Sequence, residues 1–213
     1  MKDSSPLIAI VDYGAGNLHS VTRAVEKAGG TPLITDVPED LAKADGIILP
    51  GVGSAKSAMD FLVEKHIDQE ILNQVDRGKP LFGICLGMQL LFGENEEGPT
   101  KGLSILPGRV ALLRGRTKVP HMGWNSLNII RQNPLLEGVE EGSYVYFVHS
   151  YHVVVDQEPD IVVSTTDYEG AIVSTVARGN VLGTQFHPEK SGDIGIHMYE
   201  NFMRIVRGEV PIT

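Results

Sequence analysis

Short apolar runs without polar alternation, each followed by a helical pattern, fill the first half of the chain. Leu7–Val11, Gly46–Leu49 and Leu81–Ile84 are such runs, and Leu33–Thr35 is a shorter one. A strand with no polar side must be covered on both faces, a condition met by parallel sheets flanked by helices. A helix is predicted over His19–Ala28, because Leu18, Val21, Ala24, Val25 and Ala28 recur at helical spacing before Gly29-Gly30. A single helix is predicted over Ala55–Val75, closed by Arg77-Gly78-Lys79-Pro80, and a short one over Gln89–Phe92. The second half changes character. Gly108–Arg114, Ser126–Ile130, Tyr144–Val148, His152–Val155, Ile161–Ser164, Ala171–Ala177 and Val181–Gln185 read as short strands added antiparallel to the same sheet. A last helix is expected over Ile194–Val206. No repeat or linker interrupts the pattern, so residues 1–213 are read as one three-layer α/β domain with a mixed, mostly parallel sheet.

Charge and cysteine usage narrow the function. With 27 acidic against 18 basic residues the chain carries a net charge of −9, and no basic face is available to neutralise nucleic-acid or membrane phosphates. No apolar run approaches the roughly 20 residues of a membrane span. Met1-Lys2-Asp3-Ser4-Ser5-Pro6 has neither a long apolar region nor a small-residue cleavage site. The single cysteine, Cys85, excludes an internal disulfide and a Cys-rich zinc site. It fits a reducing compartment, and the expected location is the cytoplasm. His149 and His152, three apart in a strand-like stretch, are expected on opposite faces and make a poor metal pair. No metal and no cofactor is expected.

Gly83-Ile84-Cys85-Leu86-Gly87 places Cys85 in a G-x-C-x-G pattern at a strand-to-helix junction, the cysteine form of the nucleophile elbow. The turn pushes the cysteine into a strained conformation at the sheet's edge, and the flanking glycines leave room where a side chain would clash. The following helix N-terminus favours an anionic sulfur. A lone cysteine is otherwise most often a small buried hydrophobe, and the glycine pair argues against that here. A thiol nucleophile needs a base held by a third group. His19, His66 and His197 lie in helical patterns and suit surface roles. His187 emerges after the apolar run Val181–Phe186, where a parallel sheet keeps its active site. Pro188 favours an extended conformation at His187, so that Glu189, two residues on, projects to the same side and holds the imidazole.

Pro50-Gly51-Val52-Gly53 leaves the third strand beside the elbow, and its backbone N–H groups can donate to an oxyanion. The loop lacks the spacing of a phosphate-binding P-loop. Gly14-Ala15-Gly16 follows the first strand as in a dinucleotide fingerprint, yet His19 stands where the third glycine belongs.

Together, Pro50-Gly51-Val52-Gly53, Gly83–Gln89 and His187-Pro188-Glu189 resemble the class I, triad glutamine amidotransferases over essentially the whole chain. Asp12–Asn17, Pro120-His121-Met122-Gly123-Trp124-Asn125 and Phe147–Tyr151 resemble, within that family, the glutaminase subunits of imidazole glycerol phosphate synthases of histidine biosynthesis. The resemblance implies a flavodoxin-like fold and a Cys85–His187–Glu189 triad that hydrolyses L-glutamine through a glutamyl thioester. It implies an oxyanion hole from Leu86 and the Gly51, Val52 and Gly53 loop, with Gln89, Glu97, Ser150 and Tyr151 on the amino acid end of glutamine. It also implies a separate (β/α)8-barrel cyclase as partner in a heterodimer, with Asn17, Trp124 and Lys190 at the interface. Gly51 and Gly53 allow a low-cost peptide flip, so the hole can stay unformed until docking biases it. Gln89 and Glu97 also read as helix-surface and loop polar residues, and Trp124 as a core residue.

These residues leave three alternatives open. One is another glutaminase of the class, such as that of anthranilate synthase. A second is a flavodoxin-like binding module with Cys85 as a redox sensor, which leaves His187-Pro188-Glu189 unexplained. The third is a cysteine peptidase-like hydrolase resting on the elbow alone.

Overall fold

Both faces of the first strands are buried, and parity decides what covers them. The computed structural model describes residues 5–14, 17–115 and 118–211. In strand β1 (Leu7–Val11), Ile8 and Ile10 pack with Val21 and Val25 of helix α1 (Leu18–Lys27), while Ala9 and Val11 join the opposite core. Strand β2 (Thr31–Thr35), helix α2 (Pro38–Lys43) and strand β3 (Gly46–Leu49) follow. Ile47 and Leu49 face the side of α2, and Ile48 faces the side of α1. This double burial is why the runs carry no polar alternation.

The helical stretch expected as one element over Ala55–Val75 is two helices, α3 (Ala55–Glu64) and α4 (Ile67–Asp76). His66 adopts a left-handed conformation with φ 58 between them, which turns α4 back so that Ile67 and Ile71 reach the same core as Leu62. Strand β4 (Leu81–Ile84) leads to a four-residue helix α5 (Leu86–Gln89). The helix expected over Gln89–Phe92 is thus placed too late. Phe92–Asn95 is instead strand β5, because it pairs with β6 (Thr100–Lys101) and β7 (Leu106–Leu112).

The later strands are β8 (His121–Ser126), β9 (Asn128–Ile129), β10 (Tyr144–His149), β11 (Tyr151–Val154), β12 (Val162–Asp167), β13 (Ala171–Arg178) and β14 (Val181–Thr184). They do not all join the main sheet. Its order is β2-β1-β3-β4-β14-β13-β12-β9, parallel from β2 to β14 and antiparallel beyond. β10 with β8, and β11-β7-β5-β6, form two smaller sheets. Helix α6 (Gly192–Val206) closes the α1 side, with Met198, Tyr199 and Phe202 wholly buried against Phe82 and Ile8. The expected three-layer α/β architecture therefore holds, while the second half divides among three sheets.

For function the decisive neighbours are β4 and β14. They run parallel with Ile84 opposite Thr184, so residues 85 and 185 leave the sheet side by side although a hundred positions separate them. β3 lies on the other flank of β4, with Leu49 opposite Gly83, and delivers the Pro50–Gly53 loop to the same end.

Candidate active site

Cys85 is the N-cap of α5 with φ 52 and ψ −107, outside the regions that L-residues favour. The two glycines of the pattern explain how this turn fits. A β-carbon on Gly87 would lie 1.8 Å from the Leu49 carbonyl oxygen, and one on Gly83 would meet Gly87 and Met88 backbone at 2.8 Å. A side chain at Gly51 would strike the Gly87 nitrogen at 2.4 Å, so this loop and the elbow are in direct backbone contact. Gly51 therefore admits no side chain. Gly53 has nothing within 4 Å of a β-carbon, so its φ of 112, and not crowding, is what calls for glycine there.

His187 lies three residues past the end of β14, and its Nδ1 is 2.8 Å from Glu189 Oε1, both side chains 1% exposed. His187 itself is extended, as Pro188 implies, with φ −102 and ψ 97, but the segment does not stay extended as far as Glu189. Pro188–Lys190 form a 3-10 turn, which brings Glu189 back beneath the imidazole; Ser191 Oγ donates to the His187 carbonyl and so braces the turn. Burial, the largest influence on His187, opposes its charge. The adjacent Cys85 sulfur and the Glu189 carboxylate outweigh that penalty and raise its pKa to about 10. With an anionic sulfur beside it, the imidazole therefore holds a proton at neutral pH. Glu189 Oε1 also accepts from Asn17 Nδ2 at 3.1 Å.

A cavity of about 340 Å³ opens on the sulfur, lined by Gly51, Val52, Gly53, Cys85, Leu86, Gln89, Glu97, Ser150 and Tyr151 among others. Every residue expected at the oxyanion hole and at the amino acid end of glutamine is thus gathered around one space. Gln89 is buried, not on a helix surface, and both of its amide hydrogens point inward, to the Tyr151 carbonyl at 2.8 Å and Gln185 Oε1 at 3.1 Å. Its oxygen remains for a ligand. Glu97 accepts from the Ala55 N–H at 2.9 Å, which ties the cavity rim to the first turn of α3. Trp124 is 56% exposed, not a core residue, and its ring contacts Tyr146, over which Lys190 Nζ sits at 5.8 Å.

Sequence reasoning passed over several residues here. Tyr13, inside Asp12–Asn17, is buried and its hydroxyl donates to the Pro50 carbonyl, clamping the loop; burial and then the Cys85 charge push its pKa far up. Ala15 and Gly16 of the same motif lie outside the described residues. His149 and His121 are buried. His121 Nδ1 is 3.0 Å from His149 Nε2, and the His121 ring is stacked on Phe147 and Tyr168. Burial drives their pKa values down, to about 3 for His149 and about 4 for His121. Gln185, wholly buried, has its Nε2 3.7 Å from Cys85 Sγ. Its one sequence signal was its place two residues before His187, on the same side of an extended segment. Among the described residues no group of three His, Cys, Asp or Glu could hold a metal, and no helix is long and apolar enough to cross a membrane.

A cysteine on a strained elbow, a buried imidazole–carboxylate pair and a cavity on the sulfur are the parts of an enzyme with a thiol nucleophile, and residues 9–206 match the class-I glutamine amidotransferase family. The chain belongs to that family. Its similar proteins include imidazole glycerol phosphate synthase subunit HisH of Halalkalibacterium halodurans, 51% identical over 94% of this chain and 96% of the relative. The subunit HisH of Geobacillus sp. (strain WCH70) is 50% identical over 95% and 99%. Solved structures share the fold at lower identity. A glutamine amidotransferase superposes with TM-score 0.73 at 20% identity, covering 94% of this chain and 98% of that one. PurLQS from Thermotoga maritima gives 0.73 at 22%, covering 94% and 99%.

Proposed function

We propose that this chain is the glutaminase subunit of an imidazole glycerol phosphate synthase and passes ammonia to a separate (β/α)8-barrel cyclase. One observation carries the chemistry: Cys85 lines the cavity, and the imidazole whose pKa its charge raises is buried, with Nδ1 paired to Glu189 and Nε2 free of any other hydrogen-bond partner. The assignment to this synthase rests on relatives of that name at about half identity across nearly the whole chain.

The Cys85 sulfur attacks the carboxamide carbon of L-glutamine. The oxyanion is held by the Leu86 N–H and by the Gly51–Gly53 loop. His187 gives its proton to the leaving nitrogen, ammonia departs, and a glutamyl thioester remains. Water, losing a proton to His187, then releases glutamate and restores the sulfur. Glu189 holds the imidazole in the tautomer and orientation this needs. Gln89, Glu97, Ser150 and Tyr151 hold the amino acid end.

Ammonia leaving into bulk water would protonate and lose its nucleophilicity, so it must pass to the partner directly. His187 delivers the proton, so ammonia forms on the imidazole side. There Asn17 contacts Glu189, and Lys190 stands beside Tyr146 and the exposed Trp124. These three are the proposed interface residues. The test is ammonia release from glutamine by wild type and Cys85→Ala, each alone and with the cyclase or with the chorismate-using partner of anthranilate synthase. Glutamine-dependent product with the cyclase alone is expected, and it should disappear in Cys85→Ala. Product only with the other partner would move the chain to that enzyme.

A further inference from the structure

The carbonyl oxygen of Tyr151 can only accept hydrogen bonds, and that one constraint orients a chain of buried side chains reaching the Cys85 sulfur. Gln89 must turn its NH2 toward this oxygen, at 2.8 Å, so its second hydrogen faces Gln185 at 3.1 Å. The Gln185 atom that meets it must be the oxygen. The Gln185 NH2 is thereby directed at Cys85 Sγ, 3.7 Å away. The same logic runs outward from Tyr151. His149 Nδ1 lies 2.8 Å from the carbonyl and must carry a hydrogen, so His149 Nε2 accepts from His121 Nδ1 at 3.0 Å. Both imidazoles are neutral with one tautomer each, and Tyr151 is pinned from two sides.

We propose that Gln185 is a further catalytic residue of this site, an amide donor that stabilises the anionic Cys85 sulfur and is held in its donating orientation by Gln89. The inference rests on the glutaminase reading for its role in turnover, though not for the contact itself. In the thiol form the sulfur's hydrogen is directed at the Val148 carbonyl, 3.8 Å away. Once that hydrogen has gone to His187, the Val148 oxygen repels the sulfur. Gln185 and the imidazolium then favour the charge, together with the backbone N–H groups at the start of α5. Gln185 and His187 stand two residues apart on the bent segment that leaves β14, and both act on the same sulfur. Cys85 and Gln185 leave adjacent parallel strands in register. Gln185 is wholly buried, so its donor has no water to turn to.

The experiment compares wild type with Gln185→Met and Gln185→Glu, which are close to glutamine in size. It measures the rate of Cys85 alkylation by iodoacetamide against pH in the free chain, and kcat and KM for glutamine in the complex with the cyclase. A lost hydrogen bond to an ionised partner corresponds to about 10- to 100-fold. Gln185→Met should therefore slow alkylation at pH 7 by about that factor and move its profile to higher pH. Gln185→Glu, which puts a carboxyl against the sulfur, should be slower still. In the complex kcat should fall with little change in KM. Equal alkylation rates and profiles in all three folded proteins overturn the proposal. So does a loss confined to KM, or equal damage from both variants without a pH shift. Circular dichroism identifies a variant that fails to fold, and the comparison then rests on the other. If wild type itself releases no ammonia in the complex, the glutaminase reading falls, while the alkylation series still decides the contact.

Discussion

Replacing Gly87 by alanine tests how far the elbow depends on backbone contact. The added β-carbon would sit 1.8 Å from the Leu49 oxygen, 2.7 Å from the Leu49 carbonyl carbon and 3.1 Å from the Pro50 oxygen. Real β-carbons essentially never approach within 3.0 Å, so the end of β3 and the turn after Cys85 must separate by more than about 1 Å. All three obstructing atoms are backbone, so no side-chain rotation relieves the clash. Overpacking costs about 1–3 kcal/mol, and a clash of this kind belongs at or above the upper end. The atoms that move are those of the reaction: the Leu86 N–H, the Pro50–Gly53 loop and the sulfur. A misplacement of about 1 Å is worth on the order of 10²-fold in rate. Urea denaturation of Gly87→Ala should show a loss of about 3 kcal/mol or more, and glutamine turnover of the folded fraction should drop on the order of 10²-fold. Gly78→Ala is the control: φ there is +84 with open space around the β-carbon, so only local strain of about 1–2 kcal/mol is expected, with turnover unchanged. A Gly87→Ala protein as stable as that control and fully active would refute the close-approach argument.

Three further outcomes follow from the same geometry. Tyr13→Phe removes the donor to the Pro50 carbonyl and should lower stability by about 1–2 kcal/mol and turnover severalfold, read by denaturation and ammonia release; unchanged turnover would mean that the clamp does not shape the loop. His187 has a raised pKa, so its stabilisation is complete below its ordinary value near 6.5 and is lost as pH climbs through about 10. The stability gap between wild type and Cys85→Ser should therefore narrow from pH 7 to 10.5, and a constant gap would mean that the sulfur is not what raises the imidazole. His121 and His149 have the opposite sign. Neutral in the fold and basic when unfolded, they withdraw stability as pH falls from about 6.5 toward 4, by up to about 1.4 kcal/mol per pH unit each. His121→Phe keeps the ring stacking and should flatten that acid slope in denaturation midpoints.

What could be read from the sequence and what could not divide along a physical line. The elbow was legible because Gly83 and Gly87 answer to contacts that tolerate no β-carbon, and such positions admit a single residue type. The His187–Glu189 pairing was legible by spacing, though its form was not: an extended segment and a 3-10 turn both bring residues two apart within reach, and Pro188 suits either. The break at His66 was hidden, since no glycine marks the left-handed residue and the apolar spacing of α3 and α4 continues across it. Phe92 reads as the end of a helix until β7, fourteen residues on, supplies a strand partner at Leu106. The same holds for the two small sheets, whose strands were evident but whose partners are set by non-local pairing. Gln185 is the limiting case. Its meaning depends on Tyr151 and Gln89, each on a different element, and no periodicity links the three. A backbone constraint leaves its mark on neighbouring letters, whereas a buried polar network closes only once β4 and β14 lie side by side. Catalytic groups that act as donors to another residue's sulfur will for that reason be the ones a sequence conceals longest.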